Sequence, residues 1–415
     1  MRISSRFFQT MGVNSILDQQ VKLSKTQNQL ASGKRILTPS DDPVATSQLM
    51  QLRQTENTVG QFQANADAAV NRLSTEEGVL NSVTNLLQRV RELSIQAANA
   101  TQTNDTRGFI ASEIRQRLEE LVGLANTRDG NGEYLFSGSK GFTEPFVPNA
   151  AGGYDYNGDD SQRFLQIGAG RQVADGNPGS EVFQRVRNGN GSFVTEVSTA
   201  NTGTGVIDGG SVQGSFIPTL TGGVNGYTLR FIQAAPTDPI TYEVFESGDP
   251  QPAPHPTPVA TGTYVDGEPI AFQGALVTVT GTPADGDTFS VRSSEYQDIF
   301  QTLSDFVDTL ETDVTSAAEQ AQLNNNINSF LADVDQGMNS ILTVRASVGA
   351  RLNAVDGQRY INEDQLIQTT QIISSIEDLD YAEAVSRLNL QMAGLEAAQQ
   401  TYLKVQGLSL FNFLR

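Results

Sequence analysis

His255 is the one histidine in a chain of 415 residues that contains no cysteine. Those two facts remove much of the side-chain chemistry that an enzyme draws on. Without cysteine there is no thiol nucleophile, no thiolate metal site and no disulfide frame. His255 itself lies in Asp249-Pro-Gln-Pro-Ala-Pro-His-Pro-Thr-Pro258. Such a run is a stiff, exposed connector and offers no pocket in which to poise a general base. Gly168-Ala-Gly-Arg-Gln-Val173 begins like a dinucleotide loop. It lacks the later glycine and the helical pattern that should follow, so it reads as a turn. Gly33-Lys34 has no phosphate-loop spacing around it. Asp159-Asp160 and Asp285-Gly-Asp287 lack calcium-loop spacing and read as turn formers. The sequence therefore predicts no catalytic, cofactor-binding or metal site, and no enzyme.

The elements that would have to position a site point elsewhere. A formal net charge of −20 argues against general nucleic-acid binding. The N-terminus has no apolar core of a cleaved signal peptide, and no window approaches the ~18 apolar residues of a membrane helix. Neither a signal peptide nor membrane insertion is expected. Texture changes twice along the chain. Residues up to about Pro145 are polar and helix-periodic. About Phe146 to Ser290 hold 23 of the 38 Gly and 12 of the 15 Pro. From about Val291 the helical period returns.

The helical stripes are long. One runs through Val59, Phe62, Ala66, Ala69, Leu73, Glu76, Leu80, Val83, Leu87, Val90, Ser94 and Ala97. Its three- and four-residue steps describe a coiled-coil-like seam with polar slips at Glu76 and Ser94. A second runs from Ile327 through Val334, Ile341 and Val348 to Val355. The middle holds alternating, β-rich runs at 226–232, 240–245, 275–280 and 287–292. The predicted class is α+β and multidomain. An elongated antiparallel helical bundle or coiled coil is formed by both termini, with a β-rich domain inserted.

Two breaks locate a joint. At Leu37-Thr-Pro-Ser-Asp-Asp-Pro-Val44, Pro39 cannot continue a helix interior, and Asp42 with Pro43 makes an N-cap and first-turn pair, with Asp41 favourable to the helix dipole. One helix is expected to end near Lys34 to Leu37. Near the other end, Asp378 and Asp380 precede a helix, and Asp380 with Glu383 fits a capping box. The segments outside the breaks are of similar length and are expected to pair antiparallel. Their seam is placed on Ile16, Leu23 and Leu30, with polar Gln20 and Gln27 between, and on Val385, Leu388, Met392, Leu395 and Tyr402. Polar seams weaken an isolated pair, so both termini are expected to be largely disordered in a monomer and to fold on assembly.

The same residues carry a resemblance. Gln27-Asn-Gln-Leu-Ala-Ser-Gly-Lys-Arg-Ile36, Ser40-Asp-Asp-Pro-Val-Ala45 and Leu87 to Thr101 resemble N-terminal signatures of the bacterial flagellin family. Ser375-Ile-Glu-Asp-Leu-Asp-Tyr-Ala-Glu-Ala384 is similar to the C-terminal joint and helix of that family. Gly132-Glu-Tyr-Leu-Phe-Ser-Gly138, Val344 to Asn353 and Gly281 to Val291 are more similar to its hook–filament junction branch than to flagellin itself.

The resemblance implies a structural subunit of the bacterial flagellum at the hook–filament junction, joining a hook-side junction protein to flagellin by nested terminal helices. The alternatives are flagellin itself and a flagellum-displayed adhesin. It implies a terminal assembly domain of residues 1–40 plus 377–415, and a helical core of 41–145 plus 291–376 with a β-hairpin near 130–145. Residues 146–290 would form the outer β-rich domain. Implied partners are a ring of copies of the chain, the hook-side junction protein, flagellin and a cytoplasmic export chaperone. Export would be through the flagellar type III channel, to an extracellular position on the flagellum. Arg89, Arg91 and Glu92 are candidate subunit contacts. Leu408, Leu410, Phe411, Phe413 and Leu414 form an apolar tail that suits a chaperone groove.

Overall fold

The computed structural model describes residues 5–150, 152–216, 226–246 and 257–413. His255, Leu414 and the side chains of Leu408, Leu410, Phe411 and Phe413 lie outside the described residues. Six helices carry the fold: α1 (Ser5–Ser32), α2 (Pro43–Ala97), α3 (Asn104–Ala125), α4 (Ile299–Glu311), α5 (Ala317–Glu377) and α6 (Tyr381–Phe413). The chain forms two compact units. One comprises Met1–Asn65, Ile167–Ala169 and Gly357–Arg415, and the other Ala66–Gln166 with Gly170–Asp356. Both α2 and α5 contribute residues to each unit.

In the first unit α1 packs on α6. Its seam runs Gly12, Ile16, Gln19, Leu23, Thr26 and Leu30, all partly or fully buried, while Gln20 and Gln27 are exposed. The polar seam positions are thus Gln19 and Thr26, not the expected Gln20 and Gln27. A seven-residue apolar repeat leaves open whether the intervening seam residue falls three or four positions on, and packing selects three. On α6, Leu388, Leu395 and Tyr402 are partly buried and Ala384 fully so, whereas Val385 and Met392 face outward. In the α5 portion of this unit the buried positions include Asn362 and Thr369. Asn362 Nδ2 donates to the Ile167 carbonyl at 2.9 Å, which draws Ile167–Ala169 into this unit.

The second unit has two hydrophobic cores. The helical core takes Leu73 to Ala97 of α2, Ile110 to Ala125 of α3, and the faces of α4 and α5 from Ile299 to Val348. The expected α2 stripe is buried at every position from Ala66 to Ala97, Glu76 and Ser94 included. A Thr103 capping box starts α3 and an Asp298 N-cap starts α4. Phe146, Val182 and Phe183 also belong to this core, so the β-rich stretch from 146 to 187 packs with the helices. It comprises the hairpins β1 (Phe146–Pro148) with β2 (Tyr154–Tyr156) and β3 (Phe164–Gly168) with β4 (Arg171–Ala174), then β5 (Val186–Arg187).

The second core begins at Phe193. Its strands are β6 (Phe193–Val197), β7 (Val206–Ile207), β8 (Ser211–Val212), β9 (Gly226–Ile232), β10 (Thr241–Glu246), β11 (Ala260–Thr263), β12 (Pro269–Phe272), β13 (Ala275–Thr280) and β14 (Thr288–Ser293), and β15 (Tyr296–Gln297) returns to pair β5. Strands β11-β10-β9-β14-β6 form one antiparallel sheet. Strands β12-β13-β7 form another, with β8 beside β13. Phe231, Phe289, Ile270 and Val277 from the two sheets share one apolar cluster. The four expected strands are present as β9, β10, β13 and β14, each within one residue of its expected start. Gln273 and Gly274 join β12 to β13 with φ of 42° and 81°, the two positive values that a tight hairpin turn needs.

The β-hairpin expected near 130–145 is a loop. It holds a single antiparallel bridge, Arg128 to Tyr134, and no ladder. Scattered backbone bonds, such as Asp129 N to Glu133 O at 2.8 Å and Leu135 N to Thr127 O at 3.0 Å, are joined by side-chain ones. Asp129 Oδ1 accepts from the amides of Asn131 and Glu133 at 2.8 and 3.1 Å. The Arg72 guanidinium takes the Tyr134 and Leu135 carbonyls at 3.0 and 3.3 Å.

Candidate assembly surface

The joint is built from both ends of the chain. Helix α1 stops at Ser32 because Gly33 adopts φ +72°, a left-handed C-terminal cap. The helix therefore ends two residues or more before the expected Lys34 to Leu37, and Pro39 takes the second position of a turn closed by Asp41 N to Thr38 O at 2.9 Å. Lys34 and Asp378 then form an antiparallel bridge. Arg35 N donates to Glu377 O at 2.7 Å, and Leu379 N to Gly33 O at 2.9 Å.

The acids at the joint act as staples. Asp41 Oδ2 accepts from the amides of Leu37 and Thr38 at 3.1 and 3.0 Å. Its other oxygen lies 2.7 Å from Lys25 Nζ. The Lys25 bond, with the Thr38 amide second, holds the Asp41 pKa at about 2. Asp42 caps α2 through the Ala45 amide at 3.0 Å. Asp380 caps α6 through the amides of Ala382 and Glu383. The reciprocal half of the expected capping box is absent, because the Glu383 carboxylate turns to Arg387 at 2.9 Å. Asp378 Oδ2 meets the Ser374 hydroxyl.

Sequence reasoning missed Glu377. Its buried carboxylate receives Arg53 at 2.6 Å and Lys34 at 2.5 Å. Lys34, then Arg53, lowers its pKa despite burial. Three acids in four residues were the available signal, but local capping rules select only the other two.

The terminal pair closes at both ends on glycine. A Cβ on Gly12 would lie 2.8 Å from Tyr402 Cδ2, and one on Gly33 would lie 2.9 Å from the Tyr381 hydroxyl. The helices run antiparallel between these points. Outside the seam is a second apolar stripe. On α1 it comprises Phe7, Met11, Leu17 and Val21, with Val21 68% exposed. On α6 it comprises Tyr381, Val385, Met392 and Leu403, with Leu403 66% exposed. Single exposed apolar residues are ordinary, but a stripe along each of two paired helices marks an unfilled interface.

In the second unit, Arg89 bridges Glu92 and Glu113 at 3.1 and 3.0 Å, and Arg91 meets Asp335 at 2.7 Å. The same unit buries a polar network. Arg72 pairs with Asp129 at 2.5 Å, and Arg163 with Asp175 at 2.6 Å. Glu76 is 1% exposed, and the Asn177 amide is the backbone donor that faces its carboxyl group. Burial pushes its pKa up to about 8 against the pull of Arg351 and Arg72.

The acid pairs weighed as cation sites are loop staples. Asp159 Oδ1 accepts from the amides of Ser139 and Ser161. Asp287 accepts from Thr202, Gly203 and Ala284. Gly168 and Gly170 lie at the turn between β3 and β4. Among the described residues no group of three or more His, Asp or Glu could hold a metal, and no helix is long and apolar enough to cross a membrane.

A joint made by both termini, with outward apolar stripes, agrees with what the chain resembles. Residues 3–141 match the family model for the bacterial flagellin N-terminal helical region. The crystal structure of the flagellar junction protein FlgL from Legionella pneumophila is 33% identical with a TM-score of 0.68, covering 80% of this chain and 99% of that one. The chain belongs to the FlgL family. Over 412 residues it is 26% identical to flagellar hook-associated protein 3 of Escherichia coli K12, covering 99% of each. Similarity to phase 1 flagellin of Salmonella naestved is higher, at 40%, but spans 126 residues, or 30% of this chain. The FlgL-family relatives named here are structural flagellar proteins.

Proposed function

We infer that this chain is a structural subunit of the bacterial flagellum, placed where hook and filament meet. The observation that carries the reading is reach. Similarity to hook-associated protein 3 runs along 99% of the chain, whereas similarity to flagellin covers 30% of it. The function is geometric and no reaction is assigned.

In this proposal residues 1–40 and 377–415 are the assembly element. Ile16, Leu23, Leu30, Leu388, Leu395 and Tyr402 hold the pair together. Val385 and Met392 join Met11, Leu17 and Val21 in facing neighbours: copies of the chain in a ring, a hook-side junction protein and flagellin. Pro39, Asp41, Asp42, Pro43, Asp378 and Asp380 form the joint to the helical core of 41–145 plus 291–376. Residues 193–293, which hold the second apolar core, form the outer part, whereas 146–187 pack with the helical core and not with the outer domain expected to begin at 146. Arg89, Arg91 and Glu92 exchange some of their internal ion pairs for intersubunit ones. Leu408, Leu410, Phe411, Phe413 and Leu414 engage an export chaperone before secretion through the type III channel. The acidic outer stretch favours solubility and opposes sideways association.

A deletion strain tests the reading. Loss of filaments with flagellin released into the medium supports a junction subunit. Loss of the major filament protein itself points to flagellin.

A further inference from the structure

Five Asn-Gly pairs occur in the chain, at Asn131, Asn157, Asn188, Asn190 and Asn225. Each is open in principle to one spontaneous reaction. The amide nitrogen of the glycine attacks Cγ of the asparagine, a new C–N bond closes a five-membered imide, and ammonia leaves from Cγ. Water then opens the ring at either carbonyl, leaving an aspartyl or isoaspartyl residue. No oxidant or reductant is needed. The slow requirements are a side chain free to turn and a glycine N–H that can give up its proton.

The structure separates the four described pairs. Asn188 Oδ1 is held by the Glu295 amide at 2.7 Å. Asn190 is held on both side-chain atoms. Its oxygen accepts from the Ser192 and Phe193 amides at 3.0 and 2.9 Å, and its nitrogen donates to the Gly209 and Gly210 carbonyls at 3.2 and 3.3 Å. Asn131 and Asn157 are exposed, and no side-chain hydrogen bond holds either among the described residues.

One feature distinguishes Asn157. Lys140 Nζ donates to the Asn157 carbonyl oxygen at 3.1 Å and to the Gly158 carbonyl oxygen at 3.2 Å. The Asn157 carbonyl belongs to the same peptide group as the Gly158 nitrogen. When that nitrogen loses its proton, the negative charge spreads onto this oxygen, which faces an ammonium. A charge-assisted hydrogen bond to the anionic form favours its formation. The peptide is also fixed in place. Asn157 N donates to Pro145 O at 2.8 Å. A Cβ on Gly158 would lie 2.4 Å from the Tyr156 ring, and with glycine there no side chain hinders attack through its nitrogen.

We propose that Asn157-Gly158 is a self-modifying site, at which Lys140 speeds conversion of the asparagine to an acidic or isoaspartyl residue. The product places a negative charge beside Asp159 and Asp160, and the iso form adds a methylene to the main chain. Asp159 staples Ser139 and Ser161 through their amides at 2.9 and 3.0 Å, so an added charge and a longer backbone loosen this loop.

The test incubates the purified full chain at physiological pH and temperature. Peptide mass mapping then follows the amide-to-acid mass change at each Asn-Gly bond. Asn157 should convert about tenfold faster than Asn131, the rate equivalent of one charge-assisted hydrogen bond. Lys140→Gln should remove that excess and Lys140→Arg should retain it, with Asn131 unchanged in both. In denaturant the Asn157 and Asn131 rates should converge. Equal native rates at the two sites, or an Asn157 rate that ignores Lys140→Gln, would overturn the proposal. An Asn157 that reacts more slowly folded than unfolded would do the same.

Discussion

The main-chain amide of Arg35 donates to the carbonyl of Glu377 at 2.7 Å, tying the end of the first helix to the end of the fifth. Around this bond the two chain ends exchange further partners. Arg35 Nη2 reaches the Ile376 carbonyl at 2.8 Å, and Gln29 Nε2 turns back to the Arg35 carbonyl at 2.6 Å. A short bridge of this kind is weak alone. It persists because the side chain of Glu377, directly at the crossing, collects two cations.

Glu377→Gln should therefore weaken the joint. Its carboxylate is buried while Lys34 and Arg53 are about half exposed, so screening limits the loss to about 1–2 kcal/mol. The pKa is lowered in the folded chain. The contribution is present above the ordinary carboxyl value of 4.5 and fades as pH falls through the folded value. Urea unfolding followed by far-ultraviolet dichroism should show a gap between parent and variant at neutral pH that narrows in acid.

Glu76 has the opposite sign. Burial raises its pKa from 4.5 to about 8, so the folded chain holds a proton that the unfolded chain releases. Stability from this group is complete below pH 4.5 and declines as pH rises toward 8. The decline should amount to a few kcal/mol. Glu76→Gln keeps the shape without the titration. Melting temperatures across that range should fall with pH in the parent and stay flatter in the variant. A parent curve parallel to the variant's would show that Glu76 is ionised and solvated.

Legibility in the sequence followed the distance over which each interaction acts. Strands β9 and β13 were placed to the residue because Gly, Pro and Asp bracket their alternation. Asp42 and Asp380 were found because an N-cap is a local device. The α1 seam was misread because Ile16, Leu23 and Leu30 recur every seven residues and either of two adjacent polar residues, Gln19 or Gln20 and Thr26 or Gln27, could complete the seam. Glu76 was visible as a polar slip in an apolar stripe, but its burial beside Asp175, Asn177 and Arg351 depends on segments far away in sequence. Asn325 left no signal, since three consecutive asparagines on a helix read as a solvated face.

Asn325 in fact completes a sheet edge. Its Oδ1 accepts from the Ile207 amide at 2.7 Å, and its Nδ2 donates to the Gly205 carbonyl at 3.0 Å. Asn328 Nδ2 takes the Ile207 carbonyl at 3.1 Å. The helix side chains stand in for a missing strand beside β7. Asn325→Ala leaves buried backbone groups unpaired, at about 2–4 kcal/mol. Amide exchange should speed up at Ile207 and its neighbours first, before the protected centre of β9. Unchanged exchange at Ile207 would mean that water replaces the amide without loss.

The outward stripes of the terminal helices separate assembly from folding. Met11, Leu17 and Val21 are exposed in the single chain, so Leu17→Asp combined with Val21→Asp should cost the monomer little. Gly12→Val acts differently, since its side chain would meet Tyr402 within 2.8 Å and force α1 from α6. The seam they share holds Gln19, Thr26 and glycine where a stable pair would carry large apolar residues, so neighbours must supply much of its stability. In dilute monomer, amides of residues 1–38 and 380–415 should exchange far faster than those of the Leu73–Val90 segment, and should gain protection on assembly. The double Asp variant should leave the monomer pattern untouched and abolish the gain. Strong protection of both termini in the isolated chain would mean that the pair folds unaided, and the stripes would then be docking faces on a rigid rod rather than the means by which the rod forms.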